Sequence, residues 1–263
     1  MPRFAANLSL LFTEVDFLDR FQAAAQAGFR GVEYLFPYAW DKAELAARLK
    51  EHGLTQVLHN LPAGHWDAGE RGIACLPGRE AEFHDQLSLG IEYARALGCP
   101  RVNCLAGILP QGLDRVEARH TLVANLRFAA AELQKAGILL VMEAINQYDM
   151  PGFFVSRTAD ALDILADVGS DNLKLQYDIY HAQRTEGELG NTLSRHLAHI
   201  GHIQMADNPG RHEPGTGEIN FPWLFRHLDA IGYQGWIGCE YHPLGTTTES
   251  LGWLQSAALP RRD

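Results

Sequence analysis

The sequence predicts a single (β/α)8 TIM barrel, an α/β fold, over residues 1–263. Three observations carry that prediction. Eight short apolar runs alternate with eight longer amphipathic runs, the pattern of a parallel α/β sheet. The apolar runs are nearly continuous, as strands buried on both faces require. The links leaving the strands include three long ones, near 60–79, 144–156 and 205–221, while the links entering them are short. In a barrel of this class the strand-to-helix loops build the active face, so the asymmetry marks one face as elaborated.

The elements follow in order. A strand at Phe4–Leu10 leads to a helical pattern near 16–27, closed by Ala27-Gly28. Gly31–Leu35 is the second strand, and a helix follows near 41–51. Thr55–His59 is the third strand; after the first long loop a helix runs near 80–97 and ends at Leu97-Gly98. Arg101–Leu105 precedes a helix near 114–135, closed by Ala136-Gly137. Leu139–Glu143 and Leu173–Asp178 flank a helix near 157–168. A helix near 185–196 leads into the strand His199–Gln204. A helix near 222–231, closed by Ile231-Gly232, leads into Gly235–Glu240, and a last helix falls near 247–257. Glycine suits the position just past a helix because it takes the left-handed conformation without a Cβ penalty.

Length and composition agree. The chain has 263 residues, 46% hydrophobic and 21% charged, close to the size of one α/β barrel of about 250 residues. With 32 acidic against 22 basic residues the formal charge is −10, which argues against nucleic-acid and membrane-surface partners. No run is long and apolar enough for a transmembrane helix, and the first residues do not read as a secretory leader. The four cysteines lack zinc-type spacing and read as reduced thiols of a cytoplasmic chain. An open doubly wound sheet would want a glycine-rich phosphate loop, and neither G-x-G-x-x-G nor G-x-x-x-x-G-K-[ST] follows a strand.

The chemistry gathers at the carboxyl ends of the last four strands. ILLVMEAIN ends in Glu143, LKLQYDIYH in Asp178 and GWIGCEYHP in Glu240, while HIGHIQMAD carries Gln204. On a barrel these ends converge. Three carboxylates brought together repel unless a positive charge joins them, and a divalent cation is the simplest candidate. Three carboxylates and an amide form an all-oxygen set, which favours Mg2+ or Mn2+ over zinc. Glu33 ends the second strand but lies across the barrel from these four. His181 follows Asp178 by three residues and is either a hydrogen-bonded loop histidine or a substrate contact. His202 shares a strand face with Gln204, one layer lower, and reads as a packed histidine. His59, at the end of the third strand, is placed to reach the pocket. The first long loop offers His65 and Arg71, and the third offers Arg211; either arginine can clamp a substrate carboxylate.

These residues meet a family pattern. FAANLSLLFTE, GFRGVEYLFPY, LHNLPAGHWDAGERGIACLPGRE, LKLQYDIYHAQRTEGEL, HIQMADNPGRHEPGTGEIN and GYQGWIGCEYHP span nearly the whole chain. Through them the sequence resembles the xylose-isomerase-like superfamily of sugar isomerases and epimerases. Within it the resemblance is to the hydroxypyruvate isomerase branch, with the 2-oxo-tetronate isomerases as a sister family. The resemblance implies a divalent metal on Glu143, Asp178, Gln204 and Glu240, with Glu143 and Glu240 as the acid/base pair and His181 and Arg211 near the substrate. Two departures stand at His65, where the branch has Asp, and at His242, where it has Lys. The implied reaction is metal-dependent interconversion of hydroxypyruvate and 2-hydroxy-3-oxopropanoate through an enediolate, with no nucleotide cofactor. A four-carbon 2-oxo acid, a ketose 3-epimerisation, or sugar-acid binding without catalysis are the alternative readings of the same site. A homo-oligomer is compatible with the resemblance.

Overall fold

A computed structural model describes residues 2–254. Eight parallel strands close into a barrel in chain order, β1 hydrogen-bonding to both β2 and β8. They are β1 (Arg3–Asn7), β2 (Gly31–Glu33), β3 (Thr55–Asn60), β4 (Arg101–Cys104), β5 (Leu139–Glu143), β6 (Leu173–Asp178), β7 (Ile200–Met205) and β8 (Trp236–Cys239). The helices are α1 (Arg20–Gln26), α2 (Lys42–Glu51), α3 (Glu80–Leu97), α4 (Arg115–Lys135), α5 (Thr158–Val168), α6 (Ile179–Thr185), α7 (Leu189–His196), α8 (Phe221–Ala230) and α9 (Thr247–Ser250). Residues 255–257 of the last expected helix lie outside the described residues. The glycines expected to close helices do so: Gly28, Gly98, Gly137 and Gly232 take φ of 97°, 61°, 71° and 84°.

Several expected bounds shift: β2 ends at Glu33 and α9 at Ser250, short of Leu35 and residue 257, and β3 runs on to Asn60. The first strand ends at Asn7 rather than Leu10, because the N–H groups of Leu10 and Leu11 turn back to the Asn7 carbonyl at 3.1 and 2.8 Å. The helix expected near 185–196 forms as α7, and a further helix, α6, stands ahead of it. α6 begins directly at the end of β6, where the Asp178 side chain accepts from the Tyr180 N–H at 2.8 Å and serves as N-cap. Gly187 and Glu188, both at positive φ, separate it from α7.

The interior is divided. A large apolar cluster fills the space between strands and helices. A small one, Ala5, Val57, Leu58 and Val141, stands apart from it. Ala5 and Val141 precede Asn7 and Glu143 by two residues, so they share the inner face and plug the barrel below a polar layer.

Candidate active site

Every strand contributes a buried polar side chain within one residue of its end: Asn7, Glu33, Asn60, Asn103, Glu143, Asp178, Gln204 and Glu240. Hydrogen bonds join all but Asp178 to a neighbour in this layer. Asn103 Nδ2 donates to Asn60 Oδ1 at 3.1 Å and to Glu143 Oε2 at 3.3 Å. Gln176, one layer below Asp178, donates from Nε2 to Glu143 Oε2 at 3.0 Å and to Gln204 Oε1 at 2.6 Å. Asn7 Nδ2 reaches Glu33 Oε1 at 3.1 Å and Glu240 Oε1 at 3.3 Å, joining the ends of β2 and β8 across β1.

Arg211 is the cation of this site. Its Nη2 donates to Glu240 Oε2 at 3.0 Å and lies 4.0 Å from Asp178 Oδ2. Arg211 stands on the loop between β7 and α8 at φ 57°. Asp207 organises that loop. Its carboxylate accepts from the N–H groups of Asn208, Gly215, Gly217 and Ile219 at 2.9 to 3.1 Å, and its carbonyl accepts from Arg211 N–H at 2.9 Å. A Cβ on Gly217 would stand 2.1 Å from the Asn208 carbonyl oxygen, so this turn requires glycine.

Charge balance sets the electrostatics. Burial pushes Glu143 well above the ordinary carboxylate range, with Glu240 and Asp178 adding to the push. Burial raises Asp178 to about 6 and Glu240 to about 8, against the pull of Arg211 on both. Desolvation works against the Arg211 charge, but Glu240, Asp178 and Glu143 outweigh it and hold the guanidinium above its ordinary value. One Asp178 oxygen, Oδ2, is buried without a hydrogen-bond partner.

His181 sits one helical turn beyond Asp178. Its Nε2 faces Asp178 Oδ2 at 3.6 Å and Glu143 Oε1 at 3.8 Å, and these three groups are close enough together to share a metal ion. The other ring nitrogen, Nδ1, lies 2.6 Å from Asn146 Nδ2. Asn146 Oδ1 accepts from the N–H groups of Tyr148 and Asp149, so its amide nitrogen is the atom turned to His181. An amide nitrogen only donates. Nδ1 therefore accepts, and in the neutral ring the proton stands on Nε2, facing the carboxylates. Burial, with Arg211 and Arg184 nearby, holds the imidazole well below its ordinary pKa and therefore neutral.

Three further expected site residues make their contacts outside the carboxylate cluster. His59 is fully buried, with its ring 6.1 Å from that of Tyr38; its neighbour Asn60 carries the inward face. Arg71 spends its guanidinium on the carbonyls of Trp66 and Glu70 at 2.9 and 2.7 Å, stacked 4.0 Å over the Trp66 ring. His65 is exposed, its N–H bonded to Glu70, which in turn pairs with Arg79. Sequence reasoning missed Asn7, Asn60, Asn103, Asn146 and Gln176. Gln176 had a signal, since it precedes Asp178 by two residues and shares its face. All four cysteines are free and buried, and burial raises the Cys75, Cys99 and Cys104 thiols to about 12, which suits packing rather than nucleophilic attack. Among the described residues no helix is long and apolar enough to cross a membrane.

Comparison with known proteins gives a consistent picture. The family model described as xylose isomerase-like TIM barrel matches residues 21–257. The chain is 56% identical to hydroxypyruvate isomerase of Escherichia coli (strain K12), covering 97% of this chain and 98% of that protein. It is 51% identical to 2-oxo-tetronate isomerase of Cupriavidus necator, with the same coverage. A crystal structure from Brucella melitensis described as an AP endonuclease, family 2, superposes with a TM-score of 0.95 at 46% identity, covering 97% of this chain and 98% of that one.

Proposed function

The chain belongs to the xylose isomerase-like TIM barrel family, and on that premise we propose that it interconverts hydroxypyruvate and 2-hydroxy-3-oxopropanoate. Its isomerase relatives, similar over nearly the whole chain, support that class of reaction. The observation that carries the reading is the buried carboxylate cluster, faced by the single guanidinium of Arg211 and holding an unpartnered Asp178 oxygen. Such a cluster fits a divalent cation. Glu143, Asp178, Gln204 and Glu240 would hold it through oxygen alone, a hard donor set suited to Mg2+ or Mn2+. Bound there, the ion supplies Lewis-acid polarisation of a substrate carbonyl. His181 stays outside the donor set, because the nitrogen it turns to the site carries a proton.

The side chains then perform a proton transfer. One glutamate, Glu143 or Glu240, takes the proton from C3 of hydroxypyruvate, and the electron pair moves into an enediolate. A proton returns to C2 from the other glutamate or from the same one. The C3 hydroxyl gives up its proton and becomes the carbonyl, and the former C2 carbonyl oxygen becomes the hydroxyl. Oxidation levels balance within the molecule, so no nicotinamide or flavin takes part. His181 Nε2–H donates to an enediolate oxygen without itself being charged. Arg211 keeps a buried Nε without a partner, which leaves it capacity to bind the substrate carboxylate.

The relative from Cupriavidus necator supports a second substrate, a four-carbon 2-oxo acid with the same carbonyl and carbinol pair. NMR in deuterated water with hydroxypyruvate and magnesium tests the first reading. Conversion and deuterium incorporation, lost with chelator and in Glu240→Gln, are expected. No conversion and no deuterium exchange with magnesium bound overturns it; turnover of the four-carbon acid alone moves the assignment to that substrate.

A further inference from the structure

We propose that Glu33 is a positioning residue that fixes which end of the Gln204 amide faces the substrate site. The inference rests on the reading above, in which Gln204 offers its oxygen to a cation. An amide side chain presents either oxygen or NH2 with nearly the same shape, and only the oxygen can serve as a metal ligand. Here the choice is forced from both sides. Glu33 Oε1 accepts from Gln204 Nε2 at 2.8 Å, and Gln176 Nε2 donates to Gln204 Oε1 at 2.6 Å. Gln176 is itself oriented, since the same Nε2 donates to Glu143. A flipped Gln204 would set its oxygen against the Glu33 carboxyl and its NH2 against that of Gln176, losing both bonds at once.

The fold is built to bring Glu33 there. Glu33 ends β2, on the far side of β1 and β8 from Gln204 on β7. Its carboxyl group crosses the interior over Gly238, where a Cβ would stand 2.2 Å from Oε1. Gly238 is not among the glycines with positive φ, so here glycine serves space rather than backbone conformation. His202 Nε2 lies 2.7 Å from Glu33 Oε2 and Asn7 Nδ2 lies 3.1 Å from Oε1, fixing the carboxyl in place. Glu33 is fully buried and has no route to the substrate through solvent; its action runs through Gln204.

Titration with Mn2+ alone, followed by the electron paramagnetic resonance of the free ion, reads this without turnover. Glu33→Gln removes the charge but keeps an oxygen able to accept from Gln204. Glu33→Leu removes both. The expected result is Mn2+ affinity within about threefold of the parent for Glu33→Gln and about 10- to 100-fold weaker for Glu33→Leu, the range seen when a ligand loses its supporting partner. Equal weakening in the two variants would assign the effect to charge alone and overturn the proposal, as would no weakening in either. If Glu33→Leu does not fold, as judged by circular dichroism, Gly238→Ala takes its place. It displaces the carboxyl while leaving it chemically intact; weakening against Glu33→Gln is expected, and an unchanged affinity overturns the inference. A parent protein that binds no Mn2+ removes the metal reading itself, and the inference falls with it.

Discussion

His59 separates a core histidine from a substrate-binding one by a pH-dependent measurement. It is fully buried, and burial lowers its imidazole from the ordinary 6.5 to about 4. The unfolded chain therefore takes up a proton near pH 6.5 that the folded protein refuses until about 4. Between those values the unfolded state binds more protons, so stability falls as the pH falls. The loss levels off below pH 4 at about 3.4 kcal/mol, and by pH 5 it has reached about 2 kcal/mol, taking 1.36 kcal/mol per pKa unit. Buried carboxylates whose pKa values are raised, such as Asp178, act in the opposite sense, so the wild-type curve alone does not isolate His59. The difference between wild type and His59→Phe does, because those groups cancel. The phenylalanine keeps an aromatic edge against Tyr38 and has no proton to bind. Urea unfolding at pH 7 and pH 5, with chelator present, should show His59→Phe losing about 2 kcal/mol less than wild type on acidification. Its kcat/KM on hydroxypyruvate should stay within about twofold of wild type. An identical pH dependence in the two proteins would refute the buried neutral imidazole. A fall in kcat/KM of about 100-fold with stability unchanged would return His59 to the substrate site.

Three further outcomes follow from the site. Glu240→Gln should lower kcat by about 10²- to 10⁴-fold, the usual contribution of a positioned acid/base group, with an unchanged circular dichroism spectrum. Asn146→Asp keeps the oxygen that holds Tyr148 and Asp149 but turns an acceptor to His181 Nδ1; the proton moves to Nδ1, or the ring becomes charged, and kcat should fall by about 100-fold with little change in melting temperature. Gly217→Ala drives a methyl into the Asn208 carbonyl, so the loop carrying Arg211 must shift; KM should rise more than kcat falls, and an unaltered KM would detach Arg211 from substrate binding.

The barrel and half of the site were legible for different reasons. Alternation of apolar and amphipathic runs, with glycines at the helix ends, depends on local sequence, and the strands appear where that pattern places them. Glu143, Asp178, Gln204 and Glu240 were legible because each interrupts or ends an apolar run. Asn7 and Asn103 were not, since an isolated asparagine beside a strand end looks the same whether it faces solvent or a buried carboxylate. Only closure of β1 on β8 brings Asn7 to Glu240, a partner 233 residues away. His59 shows the sensitivity of parity. The sequence pattern ends the third strand there, whereas β3 runs on to Asn60, and one residue exchanges the inward face for the outward one. α6 was missed because Asp178 does two jobs, ending a strand at the site and capping the helix that delivers His181.

The same parity explains why one strand can carry both stability and chemistry. Residues two apart on β5 supply Val141 to the apolar plug and Glu143 to the polar layer. β1 does the same with Ala5 and Asn7. The plug removes water from beneath the carboxylates, and that desolvation raises Glu143, Asp178 and Glu240 together. The polar layer above satisfies itself through amides from Asn7, Asn103, Gln176 and Gln204, groups that donate without adding charge. A lysine or arginine at any of those four positions would add a fixed positive charge beside the carboxylates and compete with any cation brought to them. The neutral amides orient the carboxylates without adding charge, and Arg211, the cation of the site, stands on a loop rather than a strand.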